Sequence, residues 1–147
     1  MQKQSKKSYR HASDAQIWTH IFFVPALFIS FYTMFELFLL LVVVVPLSIA
    51  NHVNLERPGL LSRVEGLAAK TLFVYGVLQM LYKSYASVFV FNVICFVLTF
   101  STFIVTLRLN LYHDQRSTWE ILHPTGMHFV PALWATITSM YNQPFYF

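Results

Sequence analysis

Residues 17–50 read IWTHIFFVPALFISFYTMFELFLLLVVVVPLSIA, with Glu36 the only carboxylate and no lysine or arginine. One helix over this stretch would be about 50 Å long, against a bilayer hydrocarbon core of about 30 Å. The chain must therefore turn back on itself. The break belongs at Tyr32-Thr33-Met34-Phe35-Glu36, where the acid sits. That predicts a first span over 17–32 and a second over 37–51. A second apolar block, 67–109, is also too long for one pass. It breaks at Tyr82-Lys83-Ser84-Tyr85-Ala86-Ser87, which predicts spans over 66–81 and 88–107. A fifth, less apolar span is expected over 125–141. The expected organisation is a basic tail (1–16), a single five-helix transmembrane domain (17–141) and a short outer tail (142–147).

Composition agrees. Of 147 residues, 56% are hydrophobic, 18% aromatic and only 11% charged. A soluble chain carries about 25% charged residues. This chain cannot cover a water-facing surface, so a soluble domain, a disordered chain and a nucleic-acid binder are excluded. Cys95 is the only cysteine, which excludes a disulfide scaffold. The fold class is all-α and polytopic.

The basic residues set the orientation. Lys3, Lys6, Lys7, Arg10, Arg57, Arg63, Lys70, Arg108 and Arg116 share one side of a five-span arrangement, and Lys83 alone falls on the other. The positive-inside rule then expects the N-terminus inside and the C-terminus outside. No small-residue cleavage site follows the first apolar run, so the basic tail reads as an anchor beside anionic headgroups rather than a secretory signal. An organelle membrane is expected, either the mitochondrial inner membrane or the endoplasmic reticulum.

The same arrangement puts all six histidines, His11, His20, His52, His113, His123 and His128, on the inner side or in the inner halves of spans. Ser48, Asn51, Glu65, Asp114 and Glu120 lie at the same level. Neutral imidazoles near carboxylates at one membrane depth are what a non-haem metal site needs. His20, His52, His123 and His128 are the candidate metal ligands, with Ser48, Glu65 and Asp114 as candidate catalytic groups. Asn92 and Gln79 are expected to make interhelical hydrogen bonds, and Cys95 to pack as a small apolar residue. Trp18, Tyr82, Tyr85, Tyr141 and Tyr146 fit an interfacial aromatic belt. The segment His20-Ile21-Phe22-Phe23-Val24-Pro25-Ala26-Leu27 is echoed by His128-Phe129-Val130-Pro131-Ala132-Leu133, as chance allows in an apolar chain.

Two family resemblances follow from these residues. Ser48-x3-His52, then Glu65, then His123 and His128 resembles the ceramidase and adiponectin-receptor type of membrane hydrolase. The resemblance implies zinc held by His52, His123 and His128, with Ser48 and Glu65 holding the water it activates for amide hydrolysis. The chain departs from that family in having room for five spans rather than seven, and in carrying Glu for Asp. The spacing of the last pair also differs. On a regular α-helix, five residues turn the second ring about 140° from the first, so His123 and His128 should not share a face unless Pro124 starts the helix and leaves His123 outside. The second pattern, His11-x4-Gln16-x3-His20-x2-Phe23-Val24-Pro25, resembles the iron-dependent 2-hydroxy fatty acid dioxygenases of the endoplasmic reticulum.

Two functional classes are therefore expected. Minimal loops and abundant Phe (15) and Tyr (8) point to a non-catalytic subunit of a larger membrane complex, such as an energy-transducing assembly, with lipids and other subunits as partners. The one-sided histidines point instead to a zinc- or iron-dependent membrane enzyme acting on a lipid amide or fatty acyl chain.

Overall fold

A computed structural model describes residues 14–54, 59–83, 86–109 and 116–141. All of their regular structure is helical. The first membrane-scale segment consists of α1 (Asp14–Trp18), a 3-10 turn (Thr19–Phe22) and α2 (Phe23–Thr33). Then come α3 (Phe35–Val53), α4 (Leu60–Lys83) and α5 (Ala86–Arg108). The last segment is α6 (Arg116–His123), a π turn (Pro124–Phe129) and α7 (Val130–Tyr141). Four stretches are long and apolar enough to cross a membrane: Ala15–Thr33, Phe35–Val53, Leu60–Tyr82 and Val88–Arg108. The C-terminal segment, expected as a fifth span, is not among these four but packs with them in the bundle. The chain is thus an all-α polytopic membrane protein.

The expected break in the first block falls at Met34. Its backbone (φ −147°, ψ 74°) leaves the helical region and reverses the chain within one residue. Glu36 lies in the first turn of α3, where the exposed amide groups favour a negative charge. The reversal lays α3 back along α2, so His20 near the start of the first segment meets His52 near the end of the second.

The C-terminal helix is central. Its contact with α2 is the most extensive in the bundle, and it also packs on α5. In lipid, helices associate through close van der Waals packing of small residues. Ala26 and Ser30 on α2 and Ala132 and Ser139 on α7 are all fully buried, and Ala26 and Ala132 share one core cluster. The two halves of the Val-Pro-Ala-Leu echo therefore sit on the two helices that pair most closely. On α4, Gly76 makes room for the ring of Trp134, since a Cβ there would meet that ring at 3.1 Å. Asn92 accepts a hydrogen bond from Thr138 Oγ1 (3.3 Å) across α5 and α7, as expected. Gln79 is buried and its Oε1 has no hydrogen-bond partner among the described residues. Cys95 is buried in the second core cluster with Met80 and Trp134. Trp18, Tyr82 and Tyr141 are exposed, as a lipid-interface belt requires; Tyr85 and Tyr146 lie outside the described residues.

Candidate metal centre

Four imidazoles converge at one end of the bundle. His20 lies in the 3-10 turn, His52 in the last turn of α3, His123 in the last turn of α6 and His128 in the π turn. The His20 and His128 ring centroids are 4.2 Å apart, His20 and His52 5.6 Å, and His52 and His128 5.3 Å. His123 stands 5.5 Å from His52 and 5.0 Å from His128. His20, His52 and His128 are buried, and each offers a ring nitrogen within 4.8 Å of the others. Three atoms so placed lie within about 2.8 Å of a common point, against about 2.0–2.1 Å for a zinc–imidazole bond. Side-chain shifts of under about 1 Å would close that gap.

The 140° offset expected between His123 and His128 does not occur. Neither does the alternative in which Pro124 starts the helix, because α6 already runs up to His123. The connecting turn is π-helical, and the Val130 N–H bonds to the Thr125 carbonyl, five residues back. A turn closed at i→i+5 brings residues five apart onto one side. Two features of the sequence produce it. Pro124 and Pro131 lack N–H groups, so both drop out of the α-helical ladder. Gly126 packs against α5 so closely that a Cβ there would overlap the Thr102 side chain. Single π turns inside α-helices are frequent at functional sites.

Hydrogen bonds behind the rings orient them. Thr19 Oγ1 donates to the Gln16 carbonyl (3.1 Å), which leaves its lone pair to accept from His128 Nδ1–H (2.8 Å). His20 Nδ1–H points at the same Gln16 carbonyl (2.8 Å) and at that of Ile17 (3.2 Å). Both rings thus carry their proton on Nδ1 and present the Nε2 lone pair. Metal-binding histidines are held this way by partners on the far nitrogen. His20 Nε2 is buried without a hydrogen-bond partner among the described residues. His123 stacks on the buried Trp119 ring (4.8 Å). Burial, and then the neighbouring His52 and His20, push the His123 pKa down to about 3, so this ring stays neutral at physiological pH.

The other candidates are placed unequally. Ser48 is buried on α3 one turn before His52, on the same side of the helix. Glu65 lies in the second turn of α4, half-buried, and does not belong to the three-histidine group. Asp114, His11 and His113 fall outside the described residues. The structure adds groups that the sequence reading did not single out for these roles. They are the Thr19 and Gln16 supports, the Trp119 stack and the Gly126 contact. Gln16 and Asn51 also carry buried side-chain atoms with no partner among the described residues: both carboxamide atoms of Gln16, and Asn51 Oδ1. Each such atom costs about 1–3 kcal/mol if left unpaired. The spacing of Gln16 one turn before His20 could have flagged it; nothing in the sequence shows its burial.

No protein-family model, curated protein or solved structure matches the chain.

Proposed function

We propose that this protein is a metal-dependent membrane enzyme that cleaves an acyl bond of a lipid, with the metal held by His20, His52 and His128. The observation that carries this reading is the convergence of three buried imidazoles whose ring nitrogens lie within 4.8 Å of one another. Three neutral imidazoles with further positions open is the donor set of a catalytic zinc. No carboxylate joins the three rings among the described residues, so the usual two-histidine, one-carboxylate iron set is less well supported. An ion bound only by neutral donors keeps its full charge and supplies Lewis-acid activation of water and of an acyl carbonyl. Around it the chain does the positioning. Thr19 and the Gln16 carbonyl hold two rings by their Nδ1 protons. Trp119 holds His123 beside them. The exposed apolar faces of the spans suit a protein that meets its substrate within the membrane.

The subunit reading rests on composition and minimal loops, whereas a buried imidazole cluster is costly for a helix bundle that only packs. Zinc content tests the choice. Protein purified in mild detergent from zinc-supplied cells should hold about one zinc per chain, lost in a His52→Ala, His128→Ala double variant that still elutes as a folded species. Wild-type protein that neither retains nor takes up zinc or iron contradicts the proposal.

A further inference from the structure

The buried atoms of His20, Gln16 and Asn51 that are unpaired among the described residues are mostly of one kind. His20 Nε2, Gln16 Oε1 and Asn51 Oδ1 all bring lone pairs, and Gln16 Nε2 is the one hydrogen-bond donor with them. A recess built to hold a polar headgroup or a water chain would present donors and acceptors in comparable number. A group in which lone-pair atoms outnumber donors three to one is what a cation satisfies. Gln16 lies one helical turn before His20, and its own carbonyl is 2.8 Å from His20 Nδ1. Asn51 precedes His52 in the last turn of α3, and α1 packs on α3. Gln16 and Asn51 are therefore chain neighbours of two of the three imidazoles, on helices that pack together, and both residues are buried, Gln16 completely.

We infer that Gln16 Oε1 and Asn51 Oδ1 are further ligands of the ion, giving a set of three nitrogens and two oxygens. This rests on the metal reading above and extends it. Carboxamide oxygens are hard, neutral donors, so they raise the coordination number without lowering the charge of the ion. Zinc, tetrahedral in structural sites, can take more than four ligands in catalytic ones, and three nitrogens with two oxygens would leave a sixth position for water or substrate. The pairing also accounts for two polar side chains that an apolar bundle otherwise has no reason to bury.

Cobalt(II) substitution of the full chain in detergent tests this directly, because its visible absorption is weak in five- or six-coordinate sites and strong in tetrahedral ones. The wild-type protein should bind cobalt with weak bands. Gln16→Met and Asn51→Leu should each intensify the bands and weaken binding about tenfold or more. Gln16→Met removes two orphan atoms from an apolar setting, so its metal-free thermal midpoint should hold or rise. A merely structural role for Gln16 predicts the opposite. Gln16→Glu, which keeps an oxygen and adds charge, should keep the weak bands and bind more tightly, and it serves if the methionine variant fails to fold. A wild-type spectrum that is already tetrahedral overturns the inference and leaves the three-imidazole site standing. So does an unchanged spectrum and affinity in both variants, or loss of metal in Gln16→Glu. A wild-type chain that binds no cobalt, zinc or iron overturns both readings.

Discussion

Thr19 is one methyl-bearing hydroxyl, yet it joins two elements far apart in sequence. It donates to the Gln16 carbonyl and accepts from His128 Nδ1. Thr19→Val keeps its shape and removes the hydroxyl. We expect that variant to weaken zinc binding about 10- to 100-fold while leaving the fold intact, as loss of a supporting partner does at other metal sites. Competition with a chelator reads it, and unchanged affinity would show that His128 does not depend on this bond. His123 gives a second test at this scale. Its pKa is held below the ordinary 6.5 by burial and neighbouring rings, so the unfolded chain gains a proton that the folded chain refuses. Its contribution to metal-free stability is therefore present above about pH 6.5 and fades as pH falls toward about 3. Thermal midpoints of chelated protein should drop through that window, and less steeply in His123→Gln. Of the residues themselves, His20, His52, His123 and His128 were legible in the sequence, because ionisable groups in an apolar chain stand out. Thr19, Trp119 and Gln16 were not, because their roles come from burial and from partners that only the packed bundle brings near.

At the scale of elements, the spans were legible and the irregular turns were not. The break at Met34 and the four long helices follow from hydropathy and length. His20 lies in a 3-10 turn, and the π turn that carries His128 follows from where prolines interrupt the backbone ladder and where α5 presses on Gly126. A regular period of 3.6 residues cannot anticipate them. The π turn depends on the close approach at Gly126. Gly126→Ala should force the Thr102 side chain or the turn aside, costing about 1–3 kcal/mol as over-packing does, and it should weaken zinc binding by displacing His128. Thr102→Ala combined with Gly126→Ala should restore much of both, because it removes the atoms in the way. A double variant no better than Gly126→Ala alone would show that the close approach does not set the turn.

At the scale of the whole molecule, the antiparallel arrangement gathers the start of the first segment, the end of the second and the start of the last at one end of the bundle. The basic residues predict that this end faces the same side as the N-terminus. In a Cys95→Ser background, a cysteine at Gly59 should react with a membrane-impermeant maleimide from the inner side only, and one at Lys83 from the outer side only. The reverse pattern would invert the topology but leave the centre intact. The central claim is narrower than topology: His20, His52 and His128 bind one ion together. X-ray absorption at the zinc edge of purified, zinc-loaded protein tests it most directly. We predict about three imidazole nitrogens at about 2.0–2.1 Å, falling to two in His128→Ala. A shell without imidazole scattering, or one unchanged in His20→Ala, His52→Ala and His128→Ala alike, would contradict it.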